Sequence, residues 1–271
     1  VHTLETSKGI FPFRLLPEKT ELHSVGKRRK FEIRDLENDI LYVNLPDFMH
    51  GNFAATVRAV LEKKMPSGLI LDIRENIGGM TLLGAQVAEL LISGEFSGCR
   101  KRTRIGRGVD LASASQIILE SPEEQAREIA AGLYTQEDVE ASRRQMAGTY
   151  TESYQDRFGR EGQQALFTGP CVVLTSRRTV SAAEDFLAML RSNRRATVIG
   201  TPTCGTTGTP MLLRLRCGGG ARICSVGYRL LDGTEFLGCG IRPDIPMEST
   251  PEDILAGRDP ALEKAIDFMR K

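Results

Sequence analysis

The sequence predicts an α/β fold, and three observations lead to that prediction. Residues 68–74 and 171–175 are almost continuously apolar, as strands are when a sheet is covered on both faces. A glycine turn or short loop follows each strand, and then apolar residues recur at helical spacing, at 81–93 and 181–191. Another apolar segment, 196–200, follows the second helix. Repeated strand–turn–helix units indicate a mixed or mostly parallel sheet with covering helices.

The remaining elements are predicted from the same periodicities. Strands are expected at 31–34 and 40–45, a helix at 52–63, hairpin strands at 211–216, 221–226 and 228–231, the end of the sheet at 240–245, and a terminal helix at 260–270. Residues 1–30 are mixed and end in a basic cluster, which is usually a solvated loop.

The predicted organisation is an N-terminal remnant at 1–30 and a core domain at 31–271. The core is interrupted at about 95–165 by a charged, Gln-rich insertion with helical stretches at 122–131 and 136–146. We expect this insertion to pack on the outside of the core, and a lid over a substrate cleft is the alternative. Because the chain starts at Val1 without a charged-then-apolar signal pattern, we expect a mature form or a fragment.

Composition excludes several classes of partner. Of 271 residues, 41% are hydrophobic, which is enough for a core. Lys plus Arg number 36 and Asp plus Glu 35, so a formal net charge of +1 gives no basis for binding nucleic acid or an anionic membrane. The apolar runs are too short for a membrane span, and none is predicted.

The six cysteines do not predict a metal site. They are Cys99, Cys171, Cys204, Cys217, Cys224 and Cys239, and no two are spaced as CxxC, so we expect no zinc. Cys171 lies in an apolar strand and is expected to be a buried thiol. Cys217 and Cys224 flank three glycines, and either a disulfide across a hairpin or two reduced thiols fits that spacing.

The sharpest candidate for chemistry is Ser181. It follows a buried strand and a short loop and stands at the mouth of a helix, where free N–H groups and the helix dipole favour a developing oxyanion. Ala182 and Ala183 leave room for a substrate. The alternative is a helix N-cap, completed as a capping box by Glu184.

The second candidate is the Gly78–Gly79 turn, directly after the strand at 68–74. Paired glycines allow close approach of a ligand to the backbone and expose amide donors. A phosphate cradle is not predicted because neither GK[ST] nor GxGxxG occurs. A plain turn between strand and helix remains the alternative.

Taken together, these segments resemble the tail-specific, or C-terminal processing, serine proteases and their tricorn-like relatives. The matching segments are LDIRENIGG at 71–79 (family LDxRxNxGG), SAAE at 181–184, RRATVIGTPTCG at 194–205 (GRAxVIGxxTxG), DGTEFLGCGIRPDI at 232–245 (DGxxxxGxGIxPDI) and DPALEKA at 259–265. The resemblance runs from about residue 31 to the end, apart from 94–166.

The resemblance implies a core of stacked βα and ββα units like that of the ClpP and crotonase proteins. It implies Ser181 as nucleophile, with the amides of Ala182 and of Gly78 or Gly79 as oxyanion donors. It further implies a polypeptide substrate bound as an extended or C-terminal segment, an upstream PDZ module, no cofactor and an extracytoplasmic location, either periplasmic or secreted. Oligomeric state is left open.

The general base is where the chain departs from the family. Thr206 stands where the tail-specific branch has its lysine, and a threonine cannot take the proton. None of the three histidines, His2, His23 and His50, matches the histidine motif of the tricorn-like branch. The late glutamate of that branch aligns with Leu237, two residues from Glu235.

Two explanations of the missing lysine lead to different functions. If the base lies outside this chain, the protein is a serine peptidase that acts through an acyl-enzyme on Ser181. If the chemistry is lost, the chain is a non-catalytic ligand- or peptide-binding protein, like the interphotoreceptor retinoid-binding protein, which shares the core. Acyl-CoA chemistry of the crotonase type ranks last, because no basic pocket is seen at the glycine turn.

Overall fold

A computed structural model gives the fold. It describes residues 2–6, 9–13, 30–49, 51, 53–103, 122–146, 156–214 and 219–270. The strands are β1 (His2–Thr6), β2 (Gly9–Phe13), β3 (Glu32–Leu36), β4 (Ile40–Asn44), β5 (Gly68–Asp72), β6 (Cys99–Thr103), β7 (Cys171–Thr175), β8 (Thr197–Gly200), β9 (Pro210–Arg214), β10 (Gly220–Cys224), β11 (Val226–Leu230) and β12 (Ile245–Pro246).

The helices alternate with the central strands. They are α1 (Phe53–Lys64), α2 (Thr81–Ala88), α3 (Pro122–Ala130), α4 (Gln136–Met146), α5 (Ala182–Ser192), α6 (Pro251–Leu255) and α7 (Pro260–Met269), with a short 3₁₀ helix at Glu37–Asp39. The helix predicted at 81–93 is shorter than expected, because turns replace the regular helix after Ala88. No helix among the described residues is long and apolar enough to cross a membrane.

Six strands form the central sheet, in the order β12-β8-β7-β5-β4-β3. All neighbouring pairs are parallel except β3 with β4, which is antiparallel. The predicted α/β fold with a mostly parallel sheet is therefore confirmed. Because β5 and β7 are parallel neighbours, the segments that follow them, which contain Gly78 and Ser181, leave the sheet at the same edge.

Both faces of the sheet are buried, which explains why its strands are almost continuously apolar. Alternate residues along each strand join different clusters. One face, with Leu69, Leu71, Val173 and Val198, packs against α1, α2 and α5. The other, with Ile70, Val172 and Ile199, packs against Ala261 and Ala265 of α7.

The polar residues of the LDIR segment anchor α7 to the sheet. Asp72 is fully buried and accepts from the Tyr42 hydroxyl at 2.7 Å and from the Arg74 guanidinium. Arg74 also makes two parallel bonds to Asp259, at 2.7 and 2.8 Å, and Asp259 caps α7 by accepting from Leu262 N–H. These matched residues have a structural role.

The strands outside the central sheet differ from the prediction. β9 and β10 form the expected antiparallel hairpin, but β11 pairs with β6 and not with the hairpin. The prediction that 228–231 is a hairpin strand is therefore wrong. Its partner is the strand at 99–103, which cannot be recognised from the sequence because its apolar and polar residues do not alternate. β1 and β2 also form a hairpin that was not predicted.

The cysteines with described environments are all free thiols. Cys171 is buried in β7, as predicted, and burial raises its thiol pKa to about 12. Cys224 is a free, exposed thiol at the end of β10. Cys217 lies outside the described residues.

Candidate functional site

Ser181 occupies a strained turn between β7 and α5. Its backbone has φ 57° and ψ −124°, and it is the N-cap of α5. A positive φ is uncommon for a residue with a side chain and costs on the order of 1–3 kcal/mol, so the surroundings must hold it. A serine on such a sharp strand-to-helix turn projects its hydroxyl away from the sheet.

Hydrogen bonds from two neighbouring loops hold this turn. The N–H of Val180 donates to the carbonyl of Asn76 at 3.0 Å, on the side of the glycine turn. The N–H of Ser181 donates to the carbonyl of Thr206 at 3.1 Å, on the other side. It also lies 3.2 Å from the Glu184 carboxylate, which is the carboxylate half of the expected capping box. The backbone of Ser181 is thus fixed from both sides.

The Gly78–Gly79 turn lies directly against Ser181. A Cβ on Gly78 would be 2.7 Å from the Ser181 Cβ and 2.9 Å from the Ala182 nitrogen, and its φ is 93°. A Cβ on Gly79, with φ 136°, would be 2.2 Å from the carbonyl oxygen of Phe48. Only glycine fits at either position. The two segments singled out in the sequence therefore meet in space.

Buried Asn76 shapes the glycine turn. Its side-chain oxygen accepts from Gly78 N–H at 2.9 Å, and its side-chain nitrogen donates to the carbonyl of Leu45 at 3.1 Å. Within the described residues, the amides of Gly79 and Ala182 have no hydrogen-bond partner. Of the candidate donors, the Gly78 amide is thus already bonded, whereas no described residue accepts from the amides of Gly79 and Ala182.

The loop at 203–208 is held to α5 by a buried carboxylate. Glu184 accepts from the Thr203 hydroxyl at 2.6 Å, from Gly205 N–H at 2.6 Å and from Thr206 N–H at 2.8 Å. Burial raises the pKa of this carboxyl, and these hydrogen bonds oppose the rise. The residue in the lysine position, Thr206, therefore does lie beside Ser181, but it brings a backbone carbonyl and no amine.

The next residue of α5 after Glu184 is a second buried acid, Asp185. Asp185 accepts from the hydroxyls of Thr81 at 2.7 Å and Thr207 at 2.9 Å. Burial raises its pKa to about 6. Sequence reasoning assigned Glu184 only a capping role and gave Asp185, Asn76 and Thr207 none. Two adjacent acids in a helix that is otherwise apolar from 182 to 190 were the signal that could have found the pair.

The structure leaves the general base unassigned. His23 and His50 lie outside the described residues, as does the side chain of His2. Glu235 is exposed and pairs with Arg229, and Leu237 packs against the core. Among the described residues, no group of three or more His, Cys, Asp or Glu side chains is placed to hold a metal ion.

A family model described as Peptidase family S41 matches residues 39–247. The carboxy-terminal-processing protease of Bartonella bacilliformis is 25% identical over 234 residues, which cover 84% of this chain and 43% of that protein. The chloroplastic C-terminal processing peptidase of Tetradesmus obliquus is 25% identical over 217 residues, covering 79% and 36%.

The solved structure of a candidate peptidase from Parabacteroides merdae has a similar fold. The TM-score is 0.64 at 22% identity, and the match covers 88% of this chain and 64% of that one. At this identity, the likeness concerns the fold alone. The chain spans less than half the length of the two curated relatives above.

Proposed function

The chain belongs to peptidase family S41, and we propose that it hydrolyses peptide bonds through an acyl-enzyme on Ser181. One observation carries the proposal. Ser181 is held in a strained turn at the start of α5, in contact with Gly78, beside two amides that no described residue bonds. The family match favours this reaction over the non-catalytic binding protein that the sequence left open.

In the proposed reaction, the Ser181 Oγ attacks the carbonyl carbon of the peptide bond. The carbonyl oxygen becomes an oxyanion that accepts from Ala182 N–H and Gly79 N–H, while Gly78 allows the two segments to approach. Removing one such donor typically costs about 10²–10³ in turnover. The helix dipole of α5 adds favourable potential at the same point.

A base must take the hydroxyl proton as Ser181 attacks and give it to the leaving amine. Neither Thr206 nor Leu237 can do so. We therefore place the base outside the residues that the structure describes. Hydrolysis of the acyl-enzyme by water, activated by the same base, then restores Ser181.

The substrate and the location are further parts of the proposal. Both relatives are named as C-terminal processing enzymes. We therefore propose that the substrate is an extended or C-terminal segment of a polypeptide. An extracytoplasmic location follows from the resemblance to the same proteases. An upstream PDZ module is proposed on the same ground.

Proteolysis of an unstructured polypeptide tests the proposal. The protein and its Ser181→Ala variant are incubated with a denatured, alkylated substrate, and new termini are identified by mass spectrometry. Cleavage that is lost in the variant is the expected result. Cleavage that persists in Ser181→Ala would count against Ser181 as the nucleophile, and no cleavage by the native chain would contradict the proposal that this chain hydrolyses peptide bonds by itself.

A further inference from the structure

Asp185 links the two loops that flank Ser181. Its side chain is 6% exposed and lies one helical turn beyond Ser181. One carboxylate oxygen accepts from the Thr81 hydroxyl at 2.7 Å, and the other accepts from the Thr207 hydroxyl at 2.9 Å. Both oxygens are thus bonded to different segments of the chain.

The two threonines that donate to Asp185 lie on opposite sides of Ser181. Thr81 is the first residue of α2 and comes two residues after Gly79. Thr207 follows Thr206, whose carbonyl accepts from the Ser181 amide. One buried carboxylate therefore reaches both the oxyanion side and the opposite side of the nucleophile.

We propose that Asp185 is a positioning residue of the Ser181 site, which holds the Gly78–Gly79 turn through Thr81 and the Thr206 loop through Thr207. The inference rests on the proposed function, because positioning matters only if Ser181 reacts. Glu184 does not duplicate it, since the described partners of that carboxylate lie at 181 and in the loop at 203–206.

The protonation state of Asp185 affects this arrangement. As a carboxylate it accepts from both hydroxyls at once, whereas the protonated acid becomes a donor at one oxygen. Its pKa is raised to about 6 chiefly by burial, so the carboxylate loses its charge in the native state as the pH falls through that value. The ionisable groups around it are Lys101 and Cys99 of β6, Tyr228 of β11, Asp156 and the adjacent Glu184.

Local hydrogen exchange tests the two links separately. Thr81→Val removes one hydroxyl and Thr207→Val the other, at nearly unchanged volume. We expect roughly 5- to 10-fold faster exchange, the size of one lost hydrogen bond, at 76–80 in the first variant and at 203–208 in the second. Unchanged exchange in both segments, or equally faster exchange throughout the domain, would overturn the proposal.

The Asp185→Asn variant provides a rescue that a purely structural role would not show. An amide still accepts from one threonine and can donate to the other, so protection of both segments at pH 7 should survive, whereas Asp185→Ala should lose it in both. Because hydrogen bonds to a charged acceptor are stronger than neutral ones, the protection factors of the native chain should fall toward those of Asp185→Asn below about pH 6, whereas those of Asp185→Asn should not change. Identical pH profiles in the two proteins would contradict the role of Asp185.

Reaction with a fluorophosphonate separates this inference from the proposed function. If the native chain is labelled at Ser181, Thr81→Val and Thr207→Val should each slow labelling roughly 5- to 10-fold, the effect of one hydrogen bond. If the native chain is not labelled, the proposed function fails for this chain. Hydrogen exchange then still decides whether Asp185 holds the two loops.

Discussion

Gly78 and Ser181 are in direct contact, and a methyl group on Gly78 would lie 2.7 Å from the Ser181 Cβ. The same group would lie 2.8 Å from the carbonyl oxygen of Val180 and 2.9 Å from the nitrogen of Ala182. Two of these three neighbours are backbone atoms of the turn that carries the nucleophile. The contact therefore couples the shape of the glycine turn to the position of Ser181.

Gly78→Ala should damage both stability and reactivity. The positive φ of 93° disfavours any side chain, and the methyl group must displace the turn at 180–182. Together, strain and overpacking should lower the free energy of unfolding by about 2–5 kcal/mol. Urea denaturation measures this loss.

Gly94→Ala is the matched control. Gly94 also has a positive φ, of 71°, but no atom lies within 4 Å of its added methyl group. The free energy of unfolding of Gly94→Ala should therefore fall only by the contribution from backbone strain, about 1–2 kcal/mol. Equal losses in the two variants would show that the contact between Gly78 and Ser181 contributes nothing.

Glu184→Gln should be strongly destabilising although it changes one atom. The Glu184 carboxylate accepts from three backbone amides and one hydroxyl. In either orientation, the amide nitrogen of a glutamine would face at least one backbone N–H. The side-chain N–H of the glutamine and the backbone N–H that it faces would then both be buried without an acceptor. We therefore expect the free energy of unfolding, measured with denaturant, to fall by about 2–5 kcal/mol.

Asp185→Asn is the control for that substitution. The partners of Asp185 are the hydroxyls of Thr81 and Thr207, and a hydroxyl can turn to accept from an amide. Its cost should therefore be clearly smaller than that of Glu184→Gln. The reverse order would mean that the bonds to Glu184 do not hold the loop at 203–206.

Arg74→Met should destabilise the protein, because it leaves the buried carboxylate of Asp72 without its charged partner. Burial raises the pKa of Asp72, but the hydrogen bonds and charge of Arg74 outweigh it and hold the pKa below its ordinary value. Removing the partner leaves a buried charge unpaired, which typically costs about 3–5 kcal/mol. Arg58→Met, which breaks the exposed pair with Glu62, should cost about 0.5 kcal/mol or less.

The pH dependence of this difference has a definite sign. The stabilisation from a lowered Asp72 pKa is present above about pH 4, the unfolded value, and is lost as the pH falls through the lower folded value. In the variant, Asp72 can instead take up a proton at higher pH. The stability gap between the two proteins should narrow from pH 7 to pH 4, and a constant gap would contradict the role of the pair.

The sequence was sufficient for the central sheet and for the two segments of the site. Both faces of β5 and β7 are covered, so their apolar runs are unambiguous, and their parallel pairing brings Gly78 and Ser181 to one edge. The boundaries of α5 differ from the prediction by one residue. These features depend on local patterns and on one rule of sheet geometry.

What the sequence did not predict depends on contacts between distant residues. The pairing of β11 with β6 joins segments more than 120 residues apart, and the polar run of Cys99–Thr103 lacks strand periodicity. The buried bonds of Asp185 likewise join three segments, and an acid in a helix is usually exposed. Local pattern carries no information about such partners.

The central claim is that Ser181 is an activated nucleophile, and fluorophosphonate labelling tests it most directly. The native chain and its Ser181→Ala variant are treated with the probe, and the modified residue is mapped by tandem mass spectrometry. The account predicts one adduct, on Ser181, and none in the variant. An adduct on another residue, equal labelling of the variant, or no labelling of the native chain would contradict it.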